Sequence, residues 1–131
     1  GLGVDIQTYL TNDNKHLVVL ANEAEVRSMK PNFQLLKDCD PFGYIVTARG
    51  ESSDFVSRTI VPKVQQLEDP ATGSSHAVLT PYWSKLLNKE NLQAAQLSSR
   101  GGKFNCKYSN GQVWLTGEVY TLASGTLSIP K

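Results

Sequence analysis

Apolar and polar positions alternate along much of the chain, and this pattern predicts short strands separated by turns. The alternation is clean over 103–108, and the Asn-Gly pair at 110–111 favours the positive φ values of a tight hairpin turn. Near the start, the strand-like runs 4–10 and 16–20 flank an Asn-Asp-Asn turn, which predicts a first hairpin. Further strands are predicted at 43–48, 55–61, 112–122 and 126–129.

A helical spacing replaces this alternation after residue 76. Between 77 and 87 the chain is apolar almost all round, which predicts a helix that is buried on most sides. Pro81 lies inside this run and removes one helical hydrogen bond. Either the helix bends there, or a second helix begins there with Thr80 as its cap. A shorter helix is predicted at 23–29, after Asn22 as cap.

A small polar turn leads into the long helix and is the candidate binding site. Gly73 has no Cβ and lets a ligand approach the backbone closely, while Thr72 and Ser74 are residue types that start helices. A turn of this kind directs several unpaired amides, and the positive end of the helix dipole, at one point. That point suits a carboxylate or a phosphate.

Three titratable residues, Glu68, Asp69 and His76, surround this turn. Such clusters are typical of acid–base chemistry. Each feature also has a structural interpretation: Thr-Gly-Ser as a plain helix start, Asp-Pro as a turn, and the histidine as a cap or surface group. Local pattern alone favours these structural interpretations.

The string EDPATGSSHAVLTPYW, residues 68–83, closely resembles the signature of the phenazine-biosynthesis (PhzF-like) family, which shares the diaminopimelate epimerase fold. The motifs DFVSR before it and QLSSRGG, VWLTG and GTL after it follow in the family's order, so the resemblance covers about 1–127. After Arg58 the chain has Thr-Ile-Val where the family usually carries an aromatic residue. Arg58 has two candidate roles, contact with a substrate carboxylate and a structural ion pair with Asp54 or Glu68, and we expect the ion pair.

The resemblance implies an α+β fold in which residues 1–131 form a single domain. This domain corresponds to the C-terminal half of a two-domain protein, an expectation that also fits a start without methionine. The implied architecture is a strongly curved, mostly antiparallel, barrel-like sheet wrapped around one long central helix. It favours a strand over 92–98, where propensity alone also allows a helix, and it favours a bend at Pro81.

Carried over by position, the resemblance also implies a set of site residues. Asp69 resembles the family's catalytic-site aspartate, which holds the substrate amino group. Gly73 and Ser74 resemble the backbone and hydroxyl donors that bind the substrate carboxylate. Thr72 and His76 are weaker substrate-binding candidates, and capping or packing is the favoured role for His76.

The implied activity is an isomerase that shifts a proton within a small amino-carboxylate, without cofactor or metal. The family's acid/base glutamate lies near a Gly-Asn-Pro motif in the first half, and this chain has no such motif. We therefore expect the chain alone to be inactive and its partner to be that N-terminal half, with a homodimer as a further arrangement. The alternative function is a non-catalytic small-molecule-binding or interaction module. Two-cysteine racemization is disfavoured, because Cys39 and Cys106 lie away from the turn.

Composition narrows the class of partners. The 131 residues carry a net charge of +1, so no bulk field favours nucleic acid or an anionic membrane. No apolar run approaches the roughly 20 residues that a membrane span needs. Two isolated cysteines are interpreted as reduced thiols, no His/Cys spacing indicates a metal, and a cytoplasmic location is expected.

Overall fold

Eight strands and three helices form the fold, and the computed structural model describes all residues, 1–131. The strands are β1 Thr8–Leu10, β2 Lys15–Val19, β3 Gly43–Arg49, β4 Phe55–Val61, β5 Leu67–Asp69, β6 Asn91–Gln96, β7 Gly102–Ser109 and β8 Gln112–Thr116. The helices are α1 Glu23–Ser28, α2 Phe33–Lys37 and α3 Gly73–Leu87. None of these helices is long and apolar enough to cross a membrane.

All eight strands belong to one mixed sheet in the order β1-β2-β3-β4-β6-β7-β8, with β5 paired to β4 beside this path. The pairs β2–β3 and β4–β6 are parallel, and the other five pairs are antiparallel. The sheet is open, with β1 and β8 at its two ends. Mostly antiparallel pairing is thus confirmed, whereas the barrel-like closure around the helix is not.

Strand β4 pairs with both of the strands whose ends underlie the site. Its first part, 55–57, pairs with β6, and its last part, 59–61, pairs with β5. Strands β5 and β6 therefore approach along the same side of β4 from opposite directions. Strand β5 ends at Asp69 and β6 ends at Gln96, so these two residues lie close together near the middle of β4, next to the start of α3.

The alternation of each strand separates two cores, one on each face of the sheet. One face packs on α1 and α2 through eleven buried residues, among them Val26, Leu36 and Val46. The other face packs on α3 through nine, among them Ile45 and Leu79. In strand β3, alternate residues therefore point into different cores.

Helix α3 runs without interruption through Pro81. The alternative of a second helix capped by Thr80 is therefore excluded, because the Thr80 hydroxyl donates back to the carbonyl of His76 at 2.6 Å. The prediction of burial on most sides is confirmed only in part, since eight of the eleven residues 77–87 are buried or half-buried and three are exposed. Leu86 is 62% exposed and Lys85 is exposed as well, since only one side of the helix meets the open sheet.

The predicted hairpins are confirmed. Asn110 and Gly111 have φ values of 51° and 74°, and they join β7 to β8 as an antiparallel pair. Strands β1 and β2 likewise form an antiparallel pair. The strands predicted beyond residue 116 are wrong: residues 117–131 have no regular secondary structure and are exposed. A strand forms only against a partner, and the pairing of β8 with β7 ends at Thr116.

The predicted ion pair of Arg58 is confirmed with Glu68 as its partner. Nε and Nη2 each donate to one carboxylate oxygen at 2.8 Å, the bidentate geometry that favours arginine. Nη1 donates to the carbonyl of Met29 at 2.7 Å and to that of Val26 at 3.3 Å. One guanidinium thus joins β4, β5 and the end of α1.

We predict that Arg58→Met lowers the free energy of unfolding by about 3 kcal/mol, because a largely buried carboxylate loses its partner. The matched control is Lys85→Met, which removes an exposed basic side chain without an ion pair, so we expect it to change stability by less than about 0.5 kcal/mol. Urea denaturation of both variants measures the difference. Equal losses would contradict the role assigned to Arg58.

Candidate functional site

The site is built around the first turn of α3. Gly73 and Ser74 are the first two residues of the helix, and both are exposed. The amides of Gly73, Ser74 and Ser75 have no hydrogen-bond partner in the protein, because a helix leaves its first amides unpaired and no side chain caps them here. The unpaired donors predicted from the sequence are therefore present; Gly73 and Ser74 are exposed, whereas Ser75 is buried.

Thr72 is the N-cap residue, but its hydroxyl does not cap the helix. Its Oγ1 instead donates to Oδ2 of Asp69 at 2.7 Å. The Asp69 carboxylate is thereby fixed beside the helix start, and its Oδ1 has no partner in the protein. Thr72 is buried, and its contacts make it a residue that positions Asp69.

The side-chain amide of Gln96 binds both Thr72 and Asp69 and holds them in place. Its Oε1 accepts from the amide of Thr72 at 2.8 Å, and its Nε2 donates to the carbonyl of Asp69 at 2.6 Å. The same Nε2 lies 3.0 Å from Oγ1 of Thr72. Gln96 is 1% exposed, so one buried amide joins the ends of β5 and β6 to the start of α3.

His76 lies behind the site and is completely buried. Its ring stacks on Phe104 with centroids 3.8 Å apart, and Nδ1 donates to the carbonyl of Thr72 at 2.8 Å. Burial lowers the pKa of the imidazole below its ordinary value of 6.5, with the bond to Thr72 opposing this shift. The packing role favoured for His76 agrees with these contacts, and its ring does not reach the surface where a ligand would bind.

Lys15, at the start of β2, contacts the candidate site and was not among the residues predicted for it. Its Nζ donates to Oγ of Ser74 at 3.1 Å across 59 residues of sequence. The available signal was alternation: Lys15 shares its strand face with Leu17 and Val19, which pack against α3. Gln96 was missed in the same way, although it shares a face with the buried Leu92 and Ala94.

A groove of about 810 Å³ runs along β6 and β7 beside Glu23 and Arg27, and Gln96 is part of its lining. The start of α3 is an open surface that carries unpaired backbone N–H donors. It is not enclosed as small-molecule pockets usually are.

Comparison with known proteins shows a consistent set of relatives. Residues 2–125 match the family model described as phenazine biosynthesis-like protein. An uncharacterized isomerase of Pseudomonas aeruginosa is 41% identical over 128 residues, which cover 98% of this chain and 49% of the relative. An uncharacterized isomerase of Halalkalibacterium halodurans is 38% identical over 129 residues, covering 97% of this chain and 49% of the relative.

A solved structure agrees with these matches. The crystal structure of a PhzF-family phenazine biosynthesis protein from Enterococcus faecalis has a TM-score of 0.79 to this chain at 42% identity. The match covers 92% of this chain and 49% of that chain. The chain thus spans about half the length of the relatives it matches, and its mixed sheet of eight strands with three helices is a PhzF-like fold.

The burial of His76 predicts a pH dependence of stability. Unfolded chains bind a proton at this residue below about pH 6.5, whereas the folded chain does not until a lower pH. The contribution to stability is therefore present above pH 6.5 and is lost as pH falls towards the folded pKa, by at most about 1.4 kcal/mol per pH unit. Urea denaturation between pH 7.5 and 5 measures this slope.

His76→Phe keeps the stacking but removes the titrating group, so we expect its slope to be flatter in this window. His16→Asn is the control for the other histidine of the chain. A slope that disappears in the control and persists in His76→Phe would contradict the assignment.

Proposed function

The chain belongs to the phenazine biosynthesis-like (PhzC-PhzF) family, and from this membership we propose that it supplies the substrate-binding half of a cofactor-independent isomerase. The proposed reaction shifts a proton from one carbon to another within a small amino-carboxylate. One general base removes the proton and its conjugate acid returns it, so no oxidant or reductant is consumed.

The unpaired amides at the start of α3, beside the carboxylate of Asp69, are the observation that carries this proposal. The helix start offers donors and a positive dipole end, which suit a carboxylate. Asp69, held by Thr72 at 2.7 Å, offers a negative group, which suits an ammonium. The two ends of a zwitterionic amino-carboxylate match these two groups, with Gly73 and Ser74 on its carboxylate.

We propose that the proton carrier comes from the other half of the full-length protein. In this chain, Asp69 already has a substrate-holding role, and the neutral ring of His76 is buried behind the helix. The resemblance implies a glutamate beside a Gly-Asn-Pro motif in that other half. The proposed full-length protein repeats the fold, its cleft lies between the two halves, and its sheet curves around the central helix.

Exposed apolar residues lie in β8 and in the segment that follows it. Trp114 and Leu115 are 48% and 36% exposed, and large apolar residues of the following segment, such as Val119 and Leu122, are at least 90% exposed. Exposed apolar area of this extent favours burial against another surface. We propose that the first half of the protein covers it, and a second copy of this chain is the alternative occupant.

A non-catalytic binding module of the same fold is the second candidate function, because fold does not by itself imply chemistry. It uses the same amides and the same carboxylate, and it lacks only the proton carrier. A glutamate beside Gly-Asn-Pro in the other half supports the isomerase, and its replacement supports the module.

The isomerase is tested by proton exchange. The protein containing both halves, incubated in deuterated water with a panel of small amino-carboxylates, is expected to exchange a substrate C–H proton, measured by NMR and mass spectrometry. Asp69→Asn should reduce this exchange about 10- to 100-fold, because it weakens the charge-assisted contact to the ammonium. The chain alone should show no exchange. Binding without any exchange by the full protein would support the module instead.

Gly73→Ala separates binding from folding. A Cβ at Gly73 would meet only the Leu115 side chain, at 4.0 Å, and its φ lies outside the left-handed region, so the protein itself has room for the methyl group. We expect unchanged or higher stability, since alanine exceeds glycine in helix propensity by up to about 1 kcal/mol.

The same methyl group occupies the space above the amides, so ligand affinity in the full protein should fall about tenfold or more. Ala77→Gly, on the exposed side of the same helix, is the control: it should reduce stability and leave affinity unchanged. Calorimetric titration and urea denaturation measure the two effects. Wild-type affinity in Gly73→Ala would remove the helix start from the site.

A further inference from the structure

Lys15 is a charged residue in an unusual place. It is only 8% exposed, and the one hydrogen bond of its ammonium goes to the hydroxyl of Ser74 at 3.1 Å. The ion pairs of the chain involve Arg27, Arg58 and Lys89, so no carboxylate of the protein lies within ion-pair distance of Lys15.

Two physical arguments indicate that this arrangement does not serve stability. A buried charge is costly unless an opposite charge accompanies it, and a hydroxyl supplies none. In addition, a cation near the start of a helix faces the positive end of the dipole, which is the unfavourable end for it. Both costs disappear when an anion binds between Lys15 and the amides of α3.

The contact between Lys15 and Ser74 also determines the direction in which the Ser74 hydroxyl can donate a hydrogen bond. Because Oγ of Ser74 accepts from the ammonium, its own proton remains available for another acceptor. No bond donated by this hydroxyl to a protein atom occurs in the structure. Ser74 is thereby prepared to donate outward, as binding an anion requires.

We propose that Lys15 is a specificity-determining residue that completes the anion-binding part of this site. Its ammonium, the hydroxyl of Ser74 and the amides of Gly73 and Ser74 bind one carboxylate, while Asp69 faces the other end of the ligand. Lys15 and Asp69 do not pair with each other, which keeps the two charges of the site separate. The inference rests on the proposed function only in naming the anion as a carboxylate.

The structural alternative is that Lys15 fastens β2 to α3. The two roles predict opposite stabilities for Lys15→Met, which keeps the length of the side chain and removes its charge. If Lys15 binds an anion, the urea midpoint of Lys15→Met in chloride buffer should equal or exceed that of the wild type. If it is structural, the midpoint should fall.

Acetate is the probe for binding, because it is a carboxylate without an ammonium and does not require Asp69. The isotope-labelled chain is titrated with acetate at constant ionic strength, and the amide signals of Gly73, Ser74 and Ser75 are followed by NMR. We expect these signals to shift in the wild type and to report an affinity about 10- to 100-fold weaker in Lys15→Met.

Lys15→Arg, which keeps the charge, should retain most of the binding. Lys85→Met, which removes an exposed lysine at the far end of the same helix, should behave as the wild type. Unchanged acetate binding in Lys15→Met, or a loss of its folded spectrum, would overturn the proposal. Acetate binding by this chain that depends on Lys15, together with no proton exchange by the protein containing both halves, would instead reject only the proposed isomerase.

Discussion

The site depends on the buried side-chain amide of Gln96. By accepting from the amide of Thr72 and donating to the carbonyl of Asp69, it supplies the hydrogen-bond partners that the backbone at the end of β5 and at the N-cap of α3 would otherwise lack. It also leaves the Thr72 hydroxyl free to donate to the Asp69 carboxylate. Because the N-cap side chain bonds to Asp69, it does not cap the first amides of α3.

An ordinary N-cap threonine would bind one of the first amides and stabilise the helix by about 1 kcal/mol. Helix α3 forgoes this contribution, and its first amides stay open at the surface. The stability that holds them in place comes from elsewhere, through the stacking of His76 on Phe104 and the nine-residue core below α3. A rigid support under open donors is the arrangement that preorganised binding requires.

Parts of the fold and site that depend on local pattern could be predicted from the sequence. The helix start at Thr72-Gly73-Ser74, the Asn-Gly hairpin and the cap at Asn22 are of this kind, because a few adjacent residues determine each of them. The contacts that complete the site join residues far apart in sequence. Lys15 lies 59 residues from Ser74, and Gln96 lies 24 from Thr72, so periodicity shows that each faces inward but not what it meets.

The prediction of strands after residue 116 is wrong for the opposite reason. Its β-forming residues satisfy the local pattern, but the pairing of β8 with β7 ends at Thr116, although β7 itself extends back to Gly102. Local preference therefore predicted strands where the hydrogen-bonded ladder does not continue. Short strand β5 shows the converse, since Leu67 begins it with φ at 64° and only its pairing with β4 makes it a strand.

The openness of the site sets what the other half of a full-length protein must contribute in the proposed function. At an exposed helix start, water competes for the amides and weakens the attraction between each charge and its ligand. A second wall that excludes water would strengthen the contacts of Lys15 and Asp69 together, without any change in their positions. In the proposed function, the first half therefore contributes more than a proton carrier. By covering the ligand and excluding water, it would strengthen the binding of both charged groups of the ligand and provide the surroundings that proton transfer requires.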